Sequence, residues 1–507
     1  MVRIRKLLDI DPWLAAVLAV GLLSLALTNQ SIDLEESQTW DYARVDNIGD
    51  FWRELGADPN SESRMPAGML AWWGWSRVLG TGELAMRALN LVWAVVAIAA
   101  FALIGRRLRM AWLPLLFAAQ PYAWYSMNLA RTPFMQIAGG SLLALGMVRC
   151  LSGRKTDLPG LWLLGAGALL LFGASIFGLV PLAAVAIVLA VHWAWLRFEL
   201  EPRERRMVYI FLIILGLLAT YYASTLLRGW RGSGLWAVTL ANPLYVFYEF
   251  MGFQGLGPGR QELREIIRGV VPKSTVQPFL PGLVALALAY GMLGMAAFKA
   301  WMTRPFERIS GSPSYLLAWV AGLGVVALSL CFLFFLALLA GFPFWGRDLA
   351  GAFPFWILTL ALTMRWACQG LWRAAGRLAV LSVVGLLIIS SVFLRGLPYH
   401  RHDDYRAAAA EAKRLAGLGA SVWWVADPSG GSYYGLPAVG ESQDGPGAVV
   451  LAFNRTEPPA RIPDAIIISR RENFDRLEVA AGLIRSGKFR LIAKFQAFEV
   501  WVSGSVP

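Results

Sequence analysis

Apolar residues recur along this chain in runs long enough to cross a membrane. They fall near 12–28, 84–105, 110–127, 133–151, 158–174, 176–196, 207–227, 278–300, 315–341, 350–368 and 378–395, eleven in all. A spanning helix needs about 20 mostly apolar residues, and the runs meet or nearly meet that length. The fifth is short, and the sixth follows it closely across Gly173-Ala-Ser-Ile. The pattern predicts a bundle of crossing helices over 1–395. Two long polar connections interrupt it, 29–83 and 228–277.

After residue 396 the grammar changes. Asp403-Asp-Tyr-Arg-Ala-Ala-Ala-Ala-Glu-Ala-Lys-Arg-Leu reads as a helix capped by Asp403 or Asp404. Ser421-Val-Trp-Trp-Val-Ala reads as a buried strand that ends in the turn Asp427-Pro-Ser-Gly-Gly. Further strands are expected at 448–453, 465–469, 489–495 and 498–502, with a helix near 473–486. Helices alternating with strands predict a small α/β domain over 396–507. No internal repeat is visible, and the sequon at Asn454-Arg-Thr is a short motif that carries little weight.

Composition narrows the class. Apolar residues make up 57% of the 507, charged residues only 16%, and the mean hydropathy is +0.54. Soluble domains carry about 25% charged residues, so a soluble enzyme, a disordered scaffold and a secreted disulfide framework are all excluded. Cys150, Cys331 and Cys368 each lie in or beside an apolar run, which leaves no disulfide framework for the polar segments. The N-terminal Arg3, Arg5 and Lys6 precede a run with no cleavage signature, which reads as an uncleaved signal anchor.

The net charge of +13 is distributed as a membrane protein distributes it, and not as a nucleic-acid-binding surface does. Basic clusters occupy alternate short connections: Arg106/Arg107/Arg109, Arg149/Arg154/Lys155, Arg197/Arg203/Arg205/Arg206, Lys299/Arg304/Arg308 and Arg365/Arg373/Arg377. Positive residues stay on the cytoplasmic side. An odd number of spans then puts the N-terminus in the cytoplasm and both long loops and the tail outside. The expected location is a cell membrane, crossed many times.

No Walker loop, zinc spacing or dinucleotide fingerprint appears, and His192, His400 and His402 are not spaced as a ligand set. Candidate chemistry therefore falls to acids and arginines at the outer surface. Asp33-Leu-Glu35-Glu36 follows the first span within a few residues. A partly desolvated carboxylate there is a stronger base, whereas an ordinary loop acid would only cap the helix starting near Ser37. Arg131 and Arg347 sit at the outer ends of spans, where arginine either snorkels or grips a lipid phosphate. Arg260, Arg264 and Arg268 share a four-residue spacing in the second loop, which also suits a solvated helix face.

Several stretches together resemble the GT-C class of bacterial membrane glycosyltransferases, relatives of protein O-mannosyltransferases and of the aminoarabinose transferase that modifies lipid A. Glu35-Glu-Ser-Gln-Thr-Trp-Asp-Tyr-Ala-Arg is similar to the family's first-loop motif, and Arg64-Met-Pro-Ala-Gly-Met-Leu-Ala-Trp-Trp to its His-Pro-Pro segment. Leu79-Gly-Thr-Gly-Glu-Leu-Ala-Met-Arg-Ala-Leu, Ile104-Gly-Arg-Arg-Leu, Tyr125-Ser-Met-Asn-Leu-Ala-Arg-Thr and Asp403-Asp-Tyr-Arg-Ala-Ala-Ala resemble later landmarks in order. The likeness covers the first 150 residues well, the start of the tail moderately and the middle by topology.

The resemblance implies hexosyl or pentosyl transfer from a polyprenyl-phosphate-sugar to a lipid, glycan or protein acceptor on the outer side. Glu35 then occupies the place of the catalytic aspartate and Glu36 that of its acidic neighbour, with Asp33 as the fallback base. Arg64, Arg131 and Arg347 would hold the lipid phosphate. Direct attack on the anomeric carbon would invert it. Whether a divalent metal takes part is left open by the paired acids. The sequence departs from the pattern at Glu35 (usually aspartate), at Met65 and Ala67 (usually histidine and proline) and at Asn128 (commonly an acid). Two other functions compete: a transporter or flippase for lipid-linked sugars, and a non-catalytic partner in envelope polysaccharide assembly. Transport expects repeated halves and broken helices at the midplane, and the polar mass here lies outside the spans.

Overall fold

A computed structural model of the chain describes residues 10–58, 62–151, 157–196, 201–227, 238–259, 262–263, 273–303, 314–369, 372–437, 449–451, 462–470, 474–475 and 477–504. Arg260, Arg264 and Arg268, the sequon at Asn454 and the basic residues Arg3, Arg5, Lys6, Arg154, Lys155, Arg197, Arg304 and Arg308 lie outside the described residues. The chain divides into two compact units. One comprises Met1–Leu27, Gly49–Ala71 and Arg87–Gly396; the other comprises Thr28–Ile48, Trp72–Met86 and Leu397–Pro507.

The first unit is helical. Among the described residues eight helices are long and apolar enough to cross a membrane: Glu83–Arg107, Pro133–Leu151, Ile176–Ala194, Pro202–Leu227, Ser274–Met302, Tyr315–Ala340, Gly346–Ala367 and Arg373–Gly396. Pro12–Ser24 and Leu158–Ala174 are apolar but shorter. Two of the eight form the centre, with 89% of Pro133–Leu151 and 83% of Gly346–Ala367 buried, against 11% of Pro202–Leu227. The outer helices leave Ile210, Leu212, Ile213 and Leu217 exposed. Water would not tolerate such a belt on so many helices, and lipid does.

Small residues let the central helices close on each other, as they do in membrane bundles. A Cβ on Gly140 would stand 2.2 Å from the Gly351 carbonyl oxygen. The segment after residue 346 is thereby seated directly on Pro133–Leu151.

The apolar run 110–127 does not form one continuous helix. It is two short helices, Leu113–Ala118 and Pro121–Met127. Pro121 has no N–H to donate and pushes Gln120 into an extended conformation, φ −79°, ψ 127°. The carbonyls freed at the break are recovered by side chains: Trp124 Nε1 donates to Ala118 O at 2.7 Å and Ser391 Oγ to Ala119 O at 2.9 Å.

The second unit contains a five-stranded sheet in the order β2-β1-β3-β5-β4, formed by β1 (Val422–Val425), β2 (Val449–Leu451), β3 (Ala465–Ser469), β4 (Phe489–Lys494) and β5 (Phe498–Ser503). β1 runs parallel to β2 and β3, while β5 is antiparallel to both β3 and β4. Every residue of β1 and β3 is buried, which explains the apolar runs Val422–Val425 and Ala465–Ile468. Trp424, Ile467 and Val500 face the helix Tyr405–Gly417, and Trp423, Ile466 and Ile468 face Ala480 and Ile484. That helix is capped by Asp404, whose side chain accepts from Ala407 N, while Asp403 pairs with Arg470.

Candidate functional site

The acids singled out in the first loop belong to the second unit. They open the helix Leu34–Ala43, and the local sequence dictates their roles. Asp33 is the N-cap, its Oδ1 accepting from Glu35 N at 2.8 Å and Glu36 N at 2.9 Å. Glu36 closes the capping box by accepting from Asp33 N at 3.1 Å. The same Glu36 carboxylate meets His402 Nδ1 at 3.3 Å, both side chains being almost wholly buried. Sequence spacing placed His402 only as a flank of the tail.

Glu35 differs from both neighbours. Its side chain is half-exposed, and the cap geometry uses only its backbone N–H. Of the three carboxylates it is the one not committed to starting the helix. One turn on, Ser37 Oγ donates to Asp427 Oδ2 at 2.7 Å, and Asp427 accepts from Gly430 N at 2.8 Å. Ile32 joins the core formed by Tyr405 and Trp424. Tyr434 O–H receives Ile32 N at 3.0 Å and donates to Glu83 Oε1 at 3.0 Å, and burial pushes its pKa up to about 12. The acidic helix is therefore a packed part of the unit that contains the tail sheet.

The arginines belong to the first unit, on two separate pieces of backbone. Arg64 ends the short 3-10 turn Glu62–Arg64. Three contacts fix this turn. Arg131 Nη1 donates to Glu62 Oε1 at 2.6 Å in an ion pair whose side chains are 9% and 2% exposed. Tyr221 O–H donates to Ser63 O at 3.0 Å, and Thr132 Oγ1 to Met65 Sδ at 3.2 Å. Arg64 itself is half-buried, and burial lowers its pKa against the raising influence of Glu62 and Asp58. Met65, which stands where the resembled family has histidine, acts here as an apolar anchor and sulfur acceptor.

The backbone leading to Arg131 is held by Asn90, a residue the sequence reading did not single out. Asn90 Nδ2 reaches the carbonyls of Ser126, Met127 and Leu129 at 3.3, 3.1 and 2.7 Å. One side-chain amide thus ties down the turn that follows Pro121–Met127, including Asn128, which caps that helix. Glu62 also escaped the sequence reading. A buried Arg–Glu pair has no signature in sequence, because its two members lie 69 residues apart.

Arg347 sits in the 3-10 turn Gly346–Ala352, half-buried. The backbone before it is densely bonded. Gly346 N donates to Glu249 Oε2 at 2.7 Å, and Gly346 O accepts from Tyr122 O–H at 2.9 Å. Asn242 Nδ2 donates to Phe344 O at 3.1 Å, and Trp345 N to Asp348 Oδ2 at 2.9 Å. Among the described residues no three His, Cys, Asp or Glu side chains come together as a metal-binding group.

No protein-family model matches this sequence, and no curated protein matches it significantly. Solved structures do. The crystal structure of ArnT from Cupriavidus metallidurans bound to undecaprenyl phosphate is similar at 12% identity, covering 97% of this chain and 98% of that one, with a TM-score of 0.50. Its apo form covers 96% of this chain and 97% of that chain at 12% identity and a TM-score of 0.42. The arabinofuranosyltransferase AftD from Mycobacteria matches at 13% identity and a TM-score of 0.42, with this chain spanning 41% of that larger one. The fold expected from the resemblance is the fold found: over nearly its whole length the chain is similar to the ArnT structure.

Proposed function

We propose that this protein is a multi-pass membrane glycosyltransferase that moves a sugar from a polyprenyl-phosphate-linked donor to an acceptor on the extracytoplasmic side. The observation that carries the reading is the end-to-end likeness to ArnT, a structure that holds undecaprenyl phosphate. Support also comes from the basic clusters in alternate short connections, a charge pattern that favours an outward placement of both long loops and the tail.

In this reading Glu35 is the base. It takes the proton of the acceptor hydroxyl, whose oxygen attacks the anomeric carbon while the bond to the lipid phosphate breaks. One displacement inverts the anomeric centre. Asp33 and Glu36 hold the helix that presents Glu35. Arg64 and Arg347 neutralise the charge that grows on the departing phosphate, a role suited to planar guanidinium groups. Arg131 serves at one remove, by pinning Glu62 and hence the turn that ends in Arg64. Transfer of this kind needs one base and a held phosphate.

The test is sugar transfer from a radiolabelled polyprenyl-phosphate-sugar by purified protein. Asn caps helices as well as Asp does, so Asp33→Asn keeps the helix start and is expected to retain transfer. Glu35→Gln is expected to lose it by about a hundred-fold or more, the scale of general-base catalysis. Full activity in Glu35→Gln, with loss in Asp33→Asn, would move the base to Asp33; full activity in both would remove the mechanism.

A further inference from the structure

The turn that carries Arg347 is bonded by a buried carboxylate whose residue lies 97 positions before Gly346 in sequence. Glu249, at the end of the helix Ala241–Phe250, is fully buried. Its Oε2 takes the Gly346 N–H at 2.7 Å and its Oε1 takes Gln254 Nε2 at 2.9 Å. Gly346 can stand there only because it lacks a side chain: a Cβ would fall 2.1 Å from Glu249 Oε2. On the opposite side of the same residue Tyr122 O–H holds the carbonyl at 2.9 Å. The neighbouring rings are packed against one another as well. Phe250, next to Glu249, packs with its ring centroid 5.2 Å from Tyr122 and 5.3 Å from Phe353. Tyr245 meets Trp345 edge-on at 5.0 Å.

We propose that Glu249 is a positioning residue for the lipid-phosphate grip: with Tyr122 it fixes both polar groups of Gly346 and so aims the adjoining Arg347 at a polyprenyl monophosphate. This rests on the phosphate role given to Arg347 above. The bond has a second consequence. Because the Gly346 N–H is taken by Glu249, this stretch of backbone does not offer that amide to an anion, and recognition falls to the arginine side chain. Burying a carboxylate is expensive unless its lone pairs are satisfied, and here one oxygen takes the Gln254 amide while the other takes the Gly346 N–H that precedes Arg347.

The experiment uses the full chain in lipid nanodiscs and undecaprenyl phosphate alone as the probe, followed by transfer kinetics. Losing a hydrogen bond to a charged group is worth about ten-fold or more in binding when that bond sets the binding geometry. Glu249→Ala is therefore expected to weaken undecaprenyl phosphate binding and raise KM about ten-fold, with kcat altered by less than about two-fold. Glu249→Gln retains an acceptor oxygen and should stay within about three-fold of the parent. Tyr122→Phe keeps the ring and loses only the hydroxyl, and should weaken binding about three-fold; it decides the matter if Glu249→Ala does not fold.

A folded Glu249→Ala or Tyr122→Phe that binds undecaprenyl phosphate as tightly as the parent overturns the positioning role. A fall in kcat with KM unmoved overturns it too. If the parent protein itself fails to bind the lipid, the proposed function fails first and this inference with it.

Discussion

Two buried glutamates hold two arginine-bearing turns, and they do so by different physics. Glu62 is matched by a full charge, Arg131, inside the helical unit. Glu249 is matched at Gly346 and Gln254 by neutral N–H donors. A paired ion is costly to break, because removal of one member strands the other without solvent. A carboxylate on a backbone amide instead dictates the path of that backbone. The first anchor is therefore expected to govern the stability of the unit, and the second the placement of the Arg347 side chain.

The largest expected effect tests the first half of that contrast. Arg131→Ala leaves Glu62 buried and uncompensated and should lower stability by about 3–5 kcal/mol, read as thermal unfolding in detergent or nanodiscs. Replacing both members together, Glu62→Leu with Arg131→Met, should recover most of the loss, since an apolar pair of similar volume is often neutral or better. A small loss in the single variant would mean that the pair is not a structural anchor. The ligand-binding variants of Glu249 and Tyr122 probe the other half and should leave unfolding temperature changed far less than Arg131→Ala does.

A smaller effect is expected at Asn90. Asn90→Ala removes the donor shared by three buried carbonyls and should destabilise by about 1–3 kcal/mol. Its signature is that loss of stability should not be accompanied by loss of charge pairing at Glu62, so the double variant with Arg131→Ala measures how far the two anchors couple. The smallest effect belongs to the acidic helix. Asp33→Ala deletes the N-cap and should cost about 1 kcal/mol, while Asp33→Asn should be close to neutral in the same melt.

Much of the fold was legible from the sequence, because membrane burial and sheet burial both leave long-period marks. The spans announce themselves by length, and the strands by the apolar runs Val422–Val425 and Ala465–Ile468, bounded by Asp427 and Arg470. Eight of the runs form helices of spanning length, Pro12–Ser24 and Leu158–Ala174 are shorter, and the run 110–127 is broken at Pro121, a break hidden by the apolar residues on either side. The candidate acids at 33–36 were legible as acids, and as a possible cap, since Asp33-Leu-Glu-Glu has the spacing of a capping box.

Partnerships across long separations were not legible. Glu62 with Arg131, Glu249 with Gly346, and Glu36 with His402 join residues 69, 97 and 366 positions apart. No local period records such pairs. The same limit applies to Asn90, an ordinary polar residue in an apolar helix until its three carbonyl partners are seen.

The central claim is that a glycosidic bond to a lipid phosphate is broken by this chain and the sugar handed on. The direct measurement follows a doubly labelled polyprenyl-phosphate-sugar in proteoliposomes with the purified protein. The account predicts free polyprenyl phosphate appearing in step with labelled sugar on an acceptor, and both products slowed about a hundred-fold or more with Glu35→Gln. Label that crosses the bilayer still joined to its lipid would contradict it and make the protein a carrier.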